Sequence, residues 1–98
     1  MNNNPFDLTG RVAIITGGGS GIGRATALLF TRFGAHTVLA DLRLESAENV
    51  VDEIRSIGGS ALAVKVDVRV PEEIETMVKH SMDEFKKIDI LVNCAGGS

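Results

Sequence analysis

The run Thr16-Gly17-Gly18-Gly19-Ser20-Gly21-Ile22-Gly23 is where this chain can do chemistry. It follows an apolar stretch, Val12-Ala13-Ile14-Ile15, and opens a helical pattern. Glycines let a backbone come close to a pyrophosphate. The following helix adds free N–H groups and the positive end of its dipole. The spacing does not fit G-x-G-x-x-G in any register. It is not a P-loop either, because Arg24-Ala25 stand where a lysine on the phosphates and a hydroxyl on Mg²⁺ are required. The pattern that does fit is Thr-Gly-x-x-x-Gly-x-Gly, and nucleotide hydrolysis is disfavoured.

Three further positions carry polar groups to the same end of the expected sheet. Asp41 lies 18 residues after Gly23, at the end of a second apolar run. An acid there can accept hydrogen bonds from the ribose hydroxyls of an adenosine. It would also repel a ribose 2′-phosphate: two unit charges about 4 Å apart repel by roughly 4 kcal/mol at an effective dielectric of about 20. NAD is therefore preferred over NADP, with Arg43 as a cation able to soften that preference. Asp67-Val68 close a third run, where the aspartate can meet the amino group of a base. Asn93 closes a fourth, where it either satisfies backbone groups around the cofactor or braces the neighbouring strand. Cys94 has no basic neighbour in sequence and reads as structural. His36 and His80 are not spaced as a metal pair, so no metal site is expected.

The elements that must position these residues alternate from start to finish. Residues 1–10 are an irregular lead-in, and 11–16 form a strand buried on both faces. Ile22, Ala25, Leu29 and Phe33 fall at helical spacing, with Gly34 as the stop. Residues 36–41 are the second strand. Ala47, Val50, Val51 and Ile54 form the apolar stripe of a second helix whose other face carries Glu45, Glu48, Asp52 and Arg55, and Gly58-Gly59 ends it. Residues 61–67 are the third strand. Pro71 sits at a first helical position, followed by Glu72 and Glu73 at the positive dipole end. Val70 before it is a poor cap. Ile74, Met77, Val78, Ser81 and Phe85 mark the third helix's buried stripe, with Lys86-Lys87 in its last turn. Residues 88–93 are the fourth strand.

The order β-α-β-α-β-α-β with right-handed crossovers gives an α/β, Rossmann-type, doubly wound parallel sheet of strand order 3-2-1-4. Two helices cover one face and the third covers the other. The sheet is incomplete. The glycine turn and Asn93-Cys94-Ala95-Gly96 both fall at its switch point, where ligands bind.

Composition narrows the rest. The 98 residues allow one domain, 44% hydrophobic and 23% charged, with net charge −3. Mild acidity argues against a nucleic-acid partner. No apolar run reaches the length of a membrane span, the polar Asn2-Asn3-Asn4-Pro5 start lacks a secretory h-region, and the one cysteine cannot form an internal disulfide. A cytoplasmic location is expected.

Taken together, Leu8-Thr9-Gly10-Arg11-Val12-Ala13-Ile14-Ile15-Thr16-Gly17 through Gly23, then Asp41, Asp67-Val68 and Leu91-Val92-Asn93-Cys94-Ala95-Gly96, resemble the short-chain dehydrogenase/reductase family. Cys94 departs from a frequent second asparagine. The resemblance implies that Gly17, Gly21 and Gly23 shape the turn, with Gly19 among the cofactor-binding positions. It also implies that Ser20 and Ile22 contact the pyrophosphate, Asp41 holds the ribose and Leu42 lies beside the adenine. Asp67 and Val68 would flank the base, and Asn93, Ala95 and Gly96 line the nicotinamide-side floor.

The resemblance further implies an NAD(P)-dependent oxidoreductase that interconverts a small-molecule alcohol and a carbonyl compound, homo-oligomeric when complete. Its chemistry would come from a downstream serine, a further asparagine and a Tyr-x-x-x-Lys pair. This chain has no tyrosine, and Lys65, Lys79, Lys86 and Lys87 lie on other segments, so no catalytic residue is assigned. The isolated chain is expected to bind cofactor weakly and turn over nothing. It is also expected to be unstable or to associate through the poorly covered Ile88, Ile90, Leu91 and Val92. Two alternatives stand beside this reading. One is a non-catalytic nucleotide-binding module, such as a redox sensor or truncated product. The other is a methyltransferase-like domain for S-adenosylmethionine, against which Thr16 stands where an acid is usual.

Overall fold

The computed structural model describes residues 6–94. The apolar run after the lead-in forms β1 (Val12–Thr16), buried at all five positions. There follow α1 (Gly21–Arg32), β2 (His36–Asp41), α2 (Leu44–Ser56), β3 (Ala61–Lys65), α3 (Pro71–Phe85) and β4 (Ile90–Asn93). The sheet is parallel throughout, in the order β3-β2-β1-β4. This is the α/β, partial Rossmann architecture expected from the alternation of elements.

Side-chain alternation sorts the core into two layers. Ile15 and Leu39 face α1 and α2, where they pack with Ala27, Ala47, Val50, Val51 and Ile54. Ile14, Val38, Ala40, Val64 and Val66 face the other way, onto Met77 of α3. Two helices thus share one face and the third covers the other. All four stripe residues expected of α2 are buried.

The other two stripes need correction. On α1 the buried residues are Gly23 and Ala27, whereas Ala25 and Leu29 are exposed and Ile22 is 77% exposed. The face with the smallest residues turns inward because this helix starts almost in contact with the preceding turn. On α3, Met77 and Ser81 are buried, while Ile74 and Val78 are exposed. Phe85 is half-buried and stacks on His36, ring centroids 5.3 Å apart. Ile74 shares a small pocket with Leu91 and Asn93 of β4, and it and Val78 stay open to solvent. Lys86 does not belong to the last turn either: it is the C-cap of α3, in the left-handed region at φ 69°.

Strand ends also shift for identifiable reasons. β1 begins at Val12 rather than Arg11. β3 stops at Lys65 rather than Asp67, because Lys65 pairs with Asp41, the last residue of β2. Val66 N–H still reaches the Asp41 carbonyl at 3.0 Å, but Asp67 N–H turns away to the Glu73 carboxylate at 2.9 Å. β4 starts at Ile90 rather than Ile88. Just below it, Asp89 donates its N–H to the Val12 carbonyl and accepts Val12 N–H on its side chain, with Arg11 and Lys87 nearby as cations. Val12 N–H, first of these causes, holds the Asp89 carboxyl below its ordinary value. Leu91 is 64% exposed, and Ile88, Ile90 and Val92 are half-buried, as the apolar edge predicted.

Candidate functional site

The site is assembled where β1, β2 and β3 end. The glycine turn is pinned first. Gly17 and Gly18 N–H both donate to the Ala40 carbonyl, at 2.7 and 3.2 Å, so the turn is stapled to the end of β2. Gly17 and Gly21 both adopt positive φ, 71° and 57°. Gly19 then passes so close to α2 that a Cβ there would stand 2.6 Å from Ser46 Cβ and 2.8 Å from Asp41 Oδ2. Gly23 is tighter still: a Cβ would meet the Gly17 carbonyl oxygen at 1.9 Å. Glycine at these two positions is what lets helix, turn and strand share one space.

This geometry divides the turn's amides into two groups. Those of Gly17, Gly18 and Gly19 are spent internally, the third on Asp41 Oδ2 at 2.9 Å. Ser20, the extended N-cap of α1, makes no side-chain capping bond. The N–H groups of the first turn, Gly21 to Gly23, have no intrahelical carbonyl to reach. No acidic residue sits in that turn to compete for them. The donors that an anion would meet are therefore at positions 20 to 23, with Ile22 presenting its side chain to solvent.

Asp41 is fixed before anything binds. Its Oδ2 accepts Gly19 N–H and its Oδ1 accepts Arg43 N–H, both at 2.9 Å. Each oxygen of a carboxylate has a second lone-pair site. Two acceptors thus remain, held at the tip of β2.

Beyond Asp41 the strand ends enclose a cleft of about 340 Å³, lined by Gly17, Ala40, Asp41, Leu42, Val66, Asp67, Val68 and Arg69. Four expected site residues, Asp41, Leu42, Asp67 and Val68, are brought together here. Asp67 is held by an arginine that the motif reading passed over. Arg69 donates Nε to Oδ1 at 3.0 Å, Nη2 to Oδ2 at 2.9 Å and its own N–H to Oδ1 at 3.0 Å. This fork, followed by the Arg69 amide bond, pulls the Asp67 carboxyl from its ordinary 3.8 down to about 2. Because the folded value is depressed, the pair's contribution to stability is present above about pH 4 and is lost as pH falls through about 2. The signal available in sequence was the Asp-x-Arg spacing, which suits an Asx turn.

Asn93 lies across the switch point. Thr16 Oγ1 donates to its Oδ1 at 2.7 Å. Of the two roles open to it, bracing the neighbouring strand is the one the geometry contains. Ala95 and Gly96 lie outside the described residues. Among the described residues no group of three His, Cys, Asp or Glu side chains could hold a metal, and no helix is long and apolar enough to cross a membrane.

The residues present suit a dinucleotide: free amides at the start of α1, a prefixed carboxylate for hydroxyls, and a cleft lined by a second carboxylate. Residues 11–98 match the short chain dehydrogenase family. The chain belongs to that family. It is 41% identical over 97 residues to a 7alpha-hydroxysteroid dehydrogenase of Escherichia coli (strain K12), covering 99% of this chain and 38% of that relative. It is 44% identical over 95 residues to a peroxisomal 2,4-dienoyl-CoA reductase of Mus musculus, covering 96% and 32%. A crystal structure of hydroxysteroid dehydrogenase from Escherichia coli superposes with a TM-score of 0.94 at 41% identity, over 98% of this chain and 41% of that one. This short-chain dehydrogenase chain thus spans about a third of the length of these curated relatives. The region is the cofactor-binding, N-terminal part of an NAD(P)-dependent fold.

Proposed function

We propose that this chain is the NAD-binding portion of an oxidoreductase that interconverts an alcohol and a carbonyl compound by hydride transfer. The observation that carries the reading is the Asp41 carboxylate, held by two amides at the tip of β2 with two acceptor sites left over. A vicinal ribose diol matches those acceptors, and a 2′-phosphate would be repelled by them. Ser20 to Gly23 hold the pyrophosphate, Leu42 and Val68 flank the adenine, and Asp67 meets its amino group. Asn93 lies at the floor on the nicotinamide side. When bound, the nicotinamide supplies the hydride chemistry, and this chain's residues supply binding and orientation.

The same reading leaves the chain without a proton donor of its own. Thr16 spends its hydroxyl proton on Asn93 Oδ1, and the sequence contains no tyrosine. The complete enzyme is homo-oligomeric and cytoplasmic in this proposal. The apolar flank of Ile74, Val78, Met82 and Leu91 supports the first point, and the lone cysteine supports the second.

Calorimetric titration of the chain with NAD, NADP and S-adenosylmethionine tests the reading. NAD is expected to bind more tightly than NADP, and S-adenosylmethionine not at all. Addition of alcohols to the NAD-loaded chain is expected to give no rise in NADH absorbance. Binding of S-adenosylmethionine in preference to NAD would overturn the assignment, and alcohol-dependent NADH would overturn the claim that the chain is inactive alone.

A further inference from the structure

Arg69 projects from the fold. Its side chain is 81% exposed, and it contacts Asp67 two residues away. Exposed ion pairs of this kind add little to stability. What the pair does do is fix the orientation of a carboxylate that lines the cleft. The carboxylate has about four acceptor sites. Arg69 fills two on Oδ1, with its amide and Nε, and one on Oδ2, with Nη2. One site is left, on Oδ2. From the other side, Glu73 accepts the Asp67 N–H, so the backbone carrying the carboxylate is held as well.

A single ionised acceptor with no donor of its own makes a definite chemical choice. It accepts a hydrogen bond from an exocyclic amino group, and it repels a carbonyl oxygen in the same place. A free carboxyl would rotate and take water as readily. Held below its ordinary value of 3.8 by the Arg69 fork, this carboxyl is ionised near neutral pH, as an ordinary aspartate is, and offers no donor.

From this we infer that Arg69 is a positioning residue that turns Asp67 into a reader of the 6-amino group, so that the cleft selects adenine over 6-oxo purines. The inference rests on the dinucleotide reading above and adds to it a specificity determinant outside the glycine turn and Asp41. The fork geometry is essential, because lysine would supply charge at one point and leave the carboxylate free to turn.

The test compares NAD with its deaminated analogue, nicotinamide hypoxanthine dinucleotide, which carries a carbonyl oxygen for the amino group and, with it, a proton on the adjacent ring nitrogen. Dissociation constants are measured by calorimetry for the chain as it stands and for Arg69→Ala and Arg69→Lys. The unsubstituted chain is expected to prefer NAD by about tenfold or more, the change one hydrogen bond to a charged acceptor produces. In both variants the preference is expected to shrink to about twofold or less by loss of NAD affinity, with the analogue's affinity little changed. Carbon-13 titration of the Asp67 carboxyl supplies a readout independent of binding: a midpoint near 2, moving back toward 3.8 in Arg69→Ala.

Retention of the full preference in Arg69→Ala would overturn the inference. So would equal binding of the two dinucleotides by the unsubstituted chain, which would leave the NAD assignment standing. Binding of neither dinucleotide would remove that assignment and this inference with it.

Discussion

Gly23→Ala is expected to abolish dinucleotide binding and to strip the chain of most of its stability. The added methyl carbon would stand 1.9 Å from the Gly17 carbonyl oxygen and 2.7 Å from its carbonyl carbon. Both are backbone atoms, and Gly17 is stapled through its N–H to Ala40 at 2.7 Å, so the turn cannot yield alone. Relief requires α1 to lift off the sheet, which uncovers Ala27 and the Ile15–Leu39 layer beneath it. Overpacking typically costs 1–3 kcal/mol where side chains can adjust; against fixed backbone the cost is about 3 kcal/mol or more. In a domain this small that is a large share of the total. Urea unfolding monitored by circular dichroism measures it directly. A midpoint unchanged from the parent chain would mean that the β1–α1 turn is looser than this geometry. Gly10→Ala, where a Cβ would meet nothing within 4 Å, is a matched control whose cost comes from its positive φ alone.

The second large effect is on cofactor choice. Asp41→Asn keeps the shape of the side chain and removes its charge. The repulsion it relieves is roughly 4 kcal/mol for unit charges about 4 Å apart at an effective dielectric of about 20, which corresponds to about a thousandfold. The ratio of NADP to NAD affinity is therefore expected to rise by between about ten- and a thousandfold, the lower figure applying where solvent screens the pair. Arg43, exposed at the N-cap of α2, is the neighbouring cation that would then meet a 2′-phosphate. NAD affinity is expected to fall as well, because the amide can no longer accept on both oxygens from Gly19, Arg43 and the ribose together. An unchanged NADP-to-NAD ratio would show that the carboxylate does not face the ribose.

These two residues also illustrate how much could be read in advance. Periodicity placed every element, because strands buried on both faces and an amphipathic α2 leave a strong pattern. The strand order followed from the handedness of crossovers. What failed was the identity of the inward face where small residues decide it. Ile22, Ala25 and Leu29 make a more apolar stripe than Gly23 and Ala27, yet close approach at Gly23 sets the rotation of α1. Periodicity counts hydrophobicity and is blind to contact distance. On α3 the apolar pattern is wider than the buried face, which is Met77 and Ser81, so Ile74 and Val78 lie open.

The site was legible in a similar way. Asp41 and Asp67 sit at strand ends in sequence and come together in one cleft. Their partners were not legible, because hydrogen bonds such as Gly19 N–H to Asp41 and Thr16 to Asn93 join residues 22 and 77 positions apart. Arg69 was overlooked for the opposite reason: it is so close to Asp67 that it reads as part of an ordinary turn.

The central claim is that one end of this sheet is a dinucleotide site. Amide chemical-shift mapping of the nitrogen-15-labelled chain during titration with NAD tests it most directly. The account predicts saturable shifts confined to Ser20–Gly23, Gly19, Asp41–Arg43 and Asp67–Arg69, with His36, Phe85 and the opposite end of the sheet undisturbed. Absence of shifts at saturating NAD, or shifts centred away from the β1–α1 turn, would contradict it.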